Sequence, residues 1–350
     1  MKILAIETSC DETAIALVDA KGGLKKPRFK ILKNLVASQI KVHQPFGGVV
    51  PYLAKREHLK NLPILFKNIQ NPKSKIDLVA VTVGPGLEPC LWTGINFTKE
   101  LYKNLKTQNP NLKIAGVSHL EGHLYSFLLS QKTVKSKNQA SKSKRRILKF
   151  PAISLLVSGG HTILILMKDL THFKRLGETR DDAVGESFDK VARLLNLPYP
   201  GGPEIEKISK KGDAEAINFP RPMLNQKNYD FSFSGLKTSV LYYLKDNKAK
   251  VADVAASFQK AAFDVLIKKT LRAVDEFKAK TIIVTGGVAA NKTLAKMFQK
   301  TIKENKIKTD LIIPETKFCT DNAVMIAVSA YLNYWRKKKY KLIADSNINV

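Results

Sequence analysis

Hydrophobic and polar positions repeat in one order twice along this chain. Residues 3 to 18, ILAIETSCDETAIALV, carry two apolar runs around a short polar tip. Residues 152 to 167, AISLLVSGGHTILILM, do the same. Each predicts a strand, a tight turn and a second strand. A second unit also occurs twice. IDLVAVTVGPGLEPCLWTGINFTKELYK predicts a buried strand, a Gly-Pro-Gly turn and a helix, and KTIIVTGGVAANKTLAKMFQK a buried strand, a Gly-Gly turn and a helix. The order is hairpin, then strand–glycine–helix, in each half. That duplication predicts two related α/β lobes with a cleft between them.

The glycine-rich tips bear on ligand chemistry. Without a Cβ, a tip lets a phosphate approach backbone N–H groups, and a helix starting just beyond adds its N-terminal dipole. Four such turns in two matching pairs favour a nucleotide. Neither a Walker P-loop nor a spaced GxGxxG fingerprint is present. The nucleotide would therefore be held in neither of those ways.

Charge extends the picture. Lys and Arg outnumber Asp and Glu by 59 to 30, a net charge of +29 over 350 residues, which points to a polyanionic partner, most simply nucleic acid. Residues 131 to 149, QKTVKSKNQASKSKRRILK, hold eight basic residues and no acid, and read as an exposed insertion. The cluster WRKKKYK near the C-terminus reads as the end of a helix. Both are candidate phosphate-contacting surfaces. Cys10, Cys90 and Cys319 form no CxxC pair, which argues against a disulfide scaffold. The apolar run at the N-terminus is too short for a signal peptide, and no stretch is long enough to span a bilayer. A cytoplasmic protein without a membrane partner is expected.

The stretch SHLEGHLYS, residues 118 to 126, places His119 and His123 four apart. On a helix these rings lie about 40° apart and can share a metal, whereas Glu121 lies about 200° from His119. Glu121 is thus poorly placed to act as a zinc-protease base. A third ligand must come from elsewhere, and Asp321 in KFCTDNAVMIAVSAYL, where CTDN opens an amphipathic helix, is the candidate. Its other reading is a helix N-cap. Two His and one carboxylate suit Fe(II) or Zn(II) alike. Residues 177 to 207 concentrate acids, with Glu178, Asp181, Asp182, Glu186 and Asp189 within twelve residues. Asp182, Glu186 and Asp189 fall on one helical face and read as a dense, unpaired cluster open to a ligand, while Phe188, Val191, Leu194 and Leu195 read as core. FSFSGLKTSV, residues 231 to 240, shows a strand-like alternation of aromatics and hydroxyls, with Lys237 as a candidate for an anionic substrate.

Taken together, IETSCDETA, QPFGGVVPYLAKREH, GPGL, HLEGH, LLVSGGHT, GETRDDAVGESFDKVARLL, YPGGP, FPRPM, DFSFSGLKT, TGGVAANKTL and FCTDNAVMIA run in order from residue 6 to 327. This series resembles the TsaD family of tRNA N6-adenosine threonylcarbamoyltransferases. The resemblance implies the two-lobed ASKHA fold of actin, Hsp70 and sugar kinases. It implies a divalent metal, Fe(II) favoured and Zn(II) the alternative, on His119, His123 and Asp321. Leu156, Val157, Ser158, Gly159 and Gly160 would cradle the phosphate and threonyl groups of an adenylate. Asp189 and Gly202 would contact the ribose region, with Glu206 nearby, and Asn291 would sit at the adenosine end. Glu12 matches a family position near the phosphates. The implied reaction passes a threonylcarbamoyl group from threonylcarbamoyl-AMP to N6 of adenosine 37 in tRNAs reading ANN codons. The implied partners are tRNA, a paralogous (TsaB-like) subunit and a small P-loop (TsaE-like) ATPase.

The rival readings are a small-molecule kinase or ATPase of the same fold, a metalloprotease and a non-catalytic partner protein. The first is disfavoured by the His–His–Asp set and the charge, the second by the phase of Glu121, and the third by retention of the His pair. The expected division is lobe I over 1–118, a metal-binding helix and basic insertion over 119–150, lobe II over 151–320, and a C-terminal helix over 321–350 packing back on lobe I.

Overall fold

Apolar β-rich runs interrupted by glycine turns become the central strands of two sheets. The structure is a computed structural model and describes residues 1–69, 75–129 and 148–349. Of the basic stretch 131–149, only residues 148 and 149 are among them. Two compact units result: Met1–Leu129 with Thr320–Val350, and Ser130–Cys319.

In the first unit, β1 (Lys2–Glu7) pairs antiparallel with β2 (Glu12–Lys21), which pairs antiparallel with β3 (Arg28–Ser38). On its other side β1 runs parallel to β4 (Leu78–Gly84), and β4 to β5 (Lys113–Ser118), giving the order β3-β2-β1-β4-β5. All seven residues of β4 are buried, as a central parallel strand requires. Successive side chains of a strand point to opposite faces. Leu4 and Ile6 therefore join a core with Leu62 and Ile95, which lie on α2 (Pro51–Ile69) and α3 (Glu88–Gln108). A one-turn helix, α1 (Ile40–His43), precedes α2. The short α4 (His119–Tyr125) follows β5 directly and is buried along its whole length. The last helix of the chain, α10 (Ala323–Arg336), packs on β1, β2, β5 and α4. It is buried from Ala323 to Asn333, and so is apolar nearly all round rather than amphipathic.

The second unit repeats the topology. β6 (Ala152–Val157) pairs antiparallel with β7 (Thr162–Met167), and β7 with β8 (Phe173–Glu178). β6 also runs parallel to β9 (Thr281–Thr285), and β9 to β10 (Asp310–Ile312). The order β10-β9-β6-β7-β8 is the first sheet's order reached in the same chain sequence. The duplicated hairpin and strand–glycine–helix pattern is thus the fold, with a third antiparallel strand in each unit that the pattern alone did not reveal. Around this sheet lie α5 (Val184–Leu194), α6 (Gly201–Ser209), α7 (Ser234–Asp246), the 26-residue α8 (Val251–Glu276) and α9 (Lys292–Glu304). Ile153, Leu155 and Val157 of β6 share a core with Phe188 of α5 and with Phe258 and Phe263 of α8.

The strand-like reading of 231–240 is corrected. Phe231 forms only an isolated bridge with Thr179, and Ser234 begins α7. Phe231 and Phe233 are buried with nearly parallel rings, 12° apart, while Ser232 and Ser234 turn their hydroxyls to Asp181 at 2.5 and 2.6 Å. Asp181 also accepts from the amide of Phe233, and these donors, opposing the effect of burial, hold its carboxyl below its usual value. The alternation arises because a loop laid on a core also buries every second residue.

Candidate functional site

The first unit gathers His119, His123 and Asp321. One ligand atom from each lies within 4.8 Å of the others. Local chemistry explains the placement. Ser118 caps α4, its hydroxyl accepting from the Glu121 amide, so the histidines start at the first helical position. At i and i+4 their rings share a face, with centroids 4.6 Å apart. Asp321 stands just before α10. The N-cap there is Asn322, whose side chain accepts from the Met325 amide. Asp321 is therefore not needed as the cap, and its Oδ1 lies 3.0 Å from His123 Nε2 and 3.6 Å from His119 Nε2.

The other side of His119 is held by residues that the sequence did not single out. Its Nδ1 lies 3.1 Å from Glu7 Oε2 and 3.1 Å from the Ser9 hydroxyl. A carboxylate accepts, so Nδ1 carries the proton shared with Glu7, and Nε2 is left to face Asp321. Glu7, fully buried at the end of β1, also accepts from the Thr82 hydroxyl at 2.6 Å and the Ser9 amide at 2.6 Å. Burial pushes its carboxyl up, but the charge and hydrogen bond of His119, aided by Thr82, outweigh that and hold it below its usual value. Burial opposes the His119 imidazolium in turn, yet Asp321 and Glu7 raise it to about 9. The surroundings thus favour positive charge at this point. The available signal in sequence was an acid closing an otherwise apolar buried strand.

These residues fit a divalent cation. His123 is buried, and neither ring nitrogen has a hydrogen-bond partner among the described residues, though Nε2 is within 3.0 Å of a carboxylate oxygen. A buried imidazole in that state is suited to a metal rather than to a hydrogen bond. Glu12 opens β2; burial first, then the charges of Asp321 and Asp11, push its carboxyl well up. The intervening tip is braced from below. His58 Nε2–H donates to the Cys10 carbonyl at 2.9 Å, so Nδ1 accepts from the Thr13 hydroxyl at 2.8 Å. Burial holds His58 below its usual value.

Glu121 points the other way, as its helical phase requires. It is fully buried and accepts from Asn333 Nδ2 at 2.6 Å and from Lys338 Nζ at 2.8 Å. The Ser329 hydroxyl at 3.4 Å and Arg336 Nη1 at 3.3 Å also reach it. It ties the helix bearing the histidines to the helix that follows Asp321. Gly122 permits that approach: a Cβ there would lie 3.0 Å from Ile326 Cδ1 and 3.1 Å from Met325 Cγ. Two members of the WRKKKYK cluster therefore neutralise a buried acid instead of standing free for phosphate. Nor can Glu121 be the base beside the metal in a protease.

The second unit gathers the remaining expected residues around turns. The side chains of Leu156 and Val157 are buried at the end of β6, just before the tip. The Ser158 amide donates to the His161 carbonyl at 2.8 Å and the Ser158 hydroxyl accepts from the His161 amide at 3.1 Å. That leaves Gly159 and Gly160, both exposed, to offer amides outward; a Cβ on either would meet nothing within 4 Å. Two close approaches fix this tip. A Cβ on Gly185 would lie 2.5 Å from the Ser158 carbonyl oxygen, and one on Gly286, at φ +91°, 2.3 Å from that of Val157. The N-terminus of α5 and the turn after β9 therefore both abut it.

Asp189 accepts from the Gly201 amide at 2.7 Å and so anchors α6, on whose first turn Gly202 lies with open space at its Cβ position. Asn291 caps α9, accepting from the amides of Thr293 and Leu294 at 2.8 and 3.1 Å, and donates to Gln259 at 2.9 Å. Glu206 accepts from the Lys292 amide at 3.1 Å, so Glu206 and Asn291 meet at one helix end. The acidic cluster is not unpaired. Lys190 reaches Asp182 at 2.7 Å and Glu186 at 2.9 Å, and Asp182 precedes α5 rather than sharing its face.

Comparison with known proteins bears on the family and the fold. A family model described as TsaD, tRNA N6-adenosine threonylcarbamoyltransferase, matches residues 30–328. A protein of that name from Thermosipho africanus is 47% identical over 342 residues, covering 95% of this chain and 94% of its own. One from Thermosipho melanesiensis is 45% identical, covering 100% of both chains. Among solved structures, that of HypF from T. kodakarensis matches with a TM-score of 0.58 at 16% identity, covering 96% of this chain and 48% of that one. A full-length HypF in a phosphate- and nucleotide-bound form matches with a TM-score of 0.55 at 11% identity. The chain spans about half the length of those two structures, and the likeness concerns the fold, the duplicated α/β architecture of ASKHA proteins. By sequence identity over nearly its whole length, the chain belongs to the TsaD family of tRNA N6-adenosine threonylcarbamoyltransferases.

Proposed function

We propose that this chain transfers the threonylcarbamoyl group of threonylcarbamoyl-AMP to N6 of adenosine 37 in tRNAs reading ANN codons, forming t6A. The observation that carries this is the 47% identity to a transferase of that name over 95% of the chain. The His119, His123 and Asp321 cluster adds support.

In this reading His119, His123 and Asp321 hold one divalent metal, Fe(II) by preference with Zn(II) as alternative. When bound, the metal supplies Lewis acidity that polarises or orients the donor. Glu7 keeps the His119 proton on Nδ1 and so keeps Nε2 available as a ligand atom. The Gly159 and Gly160 amides donate to the anionic donor and to charge developing on it. Asp189, Gly202, Glu206 and Asn291 shape the ribose and adenosine end, with Asn291 and Glu206 acting through the helix start that they fix. Glu12 stands near the phosphates. As N6 bonds to the carbamoyl carbon, the bond from that carbon to the phosphate oxygen breaks and AMP leaves. N6 then gives up a proton. The adenine amine is a poor nucleophile, so holding it against the donor supplies much of the rate.

A small-molecule kinase of the same fold is not favoured, because the curated relatives carry the transferase name. A cytoplasmic setting and action with a paralogous subunit and a small P-loop ATPase complete the proposal. No helix among the described residues is long and apolar enough to cross a membrane. The test mixes the protein and those partners with threonylcarbamoyl-AMP and unmodified tRNA, then seeks the modified nucleoside by mass spectrometry. Its absence with all partners supplied would refute the assignment.

A further inference from the structure

The helix α9 carries a charge pattern that neither the fold nor the site explains. Residues 292 to 308 hold six lysines and one acid, Glu304. Lys292, Lys296, Lys300 and Lys303 are all exposed. Their spacing of four, four and three residues puts them within about 80° of one another around the helix. The buried residues Leu294 and Phe298 lie on the opposite side. The four ammonium groups thus form one solvent-facing stripe, about 17 Å long at 1.5 Å per residue.

This stripe is unfavourable as a merely solvated face. Lys292–Lys296 and Lys296–Lys300 are like-charged i,i+4 pairs, and Lys300–Lys303 an i,i+3 pair, all of which destabilise an isolated helix. Lys292 sits in the first turn, where the helix dipole disfavours a cation, and no acid lies in that turn. Among the described residues, one ion pair along the stripe joins Lys300 to Glu304, at 3.8 Å. Elsewhere in this unit lysines are interleaved with acids, as where Lys190 meets Asp182 and Glu186 or Lys260 meets Glu215 and Asp264. A polyanion lying along α9 would relieve the repulsion.

The start of the stripe lies beside the expected donor site. Lys292 follows Asn291, and its amide is held by Glu206, two residues of the expected adenosine end. That end belongs to the donor's own adenosine, whereas the tRNA adenine meets the carbamoyl group at the donor's other end. What points to RNA along α9 is the charge complementarity of the lysine stripe to a phosphate backbone. We propose that the exposed face of α9 is a phosphate-backbone contact surface for RNA, with Lys292, Lys296, Lys300 and Lys303 each positioned to meet a phosphate. The inference rests on the proposed activity, since that reading makes tRNA the polyanion. Phosphate contacts position a nucleic acid without reading its sequence, so the surface should accept any tRNA that the enzyme binds.

The test reverses three charges in the full chain, Lys296→Glu, Lys300→Glu and Lys303→Glu. All three side chains are exposed. Circular dichroism checks the fold. Binding of unmodified tRNA is measured from about 50 to 200 mM salt. Each lost phosphate contact lowers the slope of log K against log salt by about 0.7 to 0.9, so a drop of about 2 to 3 is expected, with at least tenfold weaker binding at the upper salt. A control of equal charge change, Lys21→Glu, Lys25→Glu and Lys26→Glu, lies at the end of β2 remote from Glu12 and should leave most of that slope. Equal losses in the two variants would show a diffuse charge effect and overturn the proposal. So would an unchanged slope in the α9 variant, even where it loses binding to an acidic protein partner. Wild-type protein that transfers the group while the α9 variant binds tRNA normally refutes this surface alone. Wild-type protein that binds no tRNA even with the proposed partner proteins supplied refutes both this surface and the activity on which it rests.

Discussion

Replacing Glu121 with Ala tests whether the carboxylate behind the histidines builds the site. Glu121 has no exposed surface, and its two oxygens take hydrogen bonds from Asn333, Ser329, Arg336 and Lys338. Removing one partner of a buried charge cluster costs roughly 3–5 kcal/mol. Arg336 and Lys338 are 14% and 35% exposed, so both can turn part of their charge to water. The loss should therefore sit at the low end, about 3 kcal/mol. Because Glu121 joins α4 to α10, its removal should also loosen His119 and His123 relative to Asp321. Outer partners of metal ligands typically change affinity by roughly 10–100-fold. Urea unfolding gives the first quantity, and competition titration with Zn(II) at pH 7.5 the second. Glu121→Gln, which keeps the shape and one acceptor, should fall between. A loss below about 1 kcal/mol with unchanged zinc affinity would refute the view that this buried cluster positions the histidines.

Three further outcomes are expected. Gly160→Ala should fold with wild-type stability, since its Cβ meets nothing, but bind AMP several-fold more weakly; Gly286→Ala, at φ +91° with its Cβ 2.3 Å from the Val157 carbonyl, should lose about 1–3 kcal/mol in the same unfolding assay. Asn291→Ala removes the cap of α9 and should cost about 1 kcal/mol, read as a lower unfolding midpoint, together with weaker AMP binding. Lys269 gives a pH signature. It is buried, with Arg272 and Arg180 nearby, and its ammonium falls from 10.5 to about 8, chiefly through burial and then through Arg272. Between pH 8 and 10.5 the unfolded chain keeps a proton that the folded one releases, so this residue's contribution to stability rises with pH across that window. Relative to Lys269→Met, the wild type should gain about 2 kcal/mol from pH 7.5 to 9.5; parallel pH profiles for the two proteins would contradict this.

Local pattern revealed much of this molecule, and its gaps follow from long-range pairing. The two hairpins and strand–glycine–helix units are short-range signals, and each appears as read. β3 escaped because its sequence, RFKILKNLVAS, is mostly exposed and has no buried position, so no buried alternation marks it. The phase of His119, His123 and Glu121 was legible because helical geometry fixes it. What Glu121 does was not, since its partners lie more than 200 positions away. The acids of 177–189 looked unpaired for a related reason. Their partners include Lys190, whose reach across a helix start depends on where that helix begins, and Ser232 and Ser234, which only folding brings to Asp181. Glu7 was missed although an acid at the end of a buried strand is a signal in itself. Ser158 was expected to lend its amide to a ligand, but a two-residue hairpin tip already engages it.

The central claim is that His119, His123 and Asp321 serve transfer of an activated threonylcarbamoyl group to tRNA. The most direct measurement is a single-turnover reaction with preformed threonylcarbamoyl-AMP and unmodified tRNA, with the partner proteins present, comparing wild type with His119→Ala. Mass spectrometry of the digested tRNA reads the modified adenosine, and unfolding confirms that the variant is intact. The account predicts modified nucleoside from wild type and none above background from folded His119→Ala. Equal product from both proteins would contradict it.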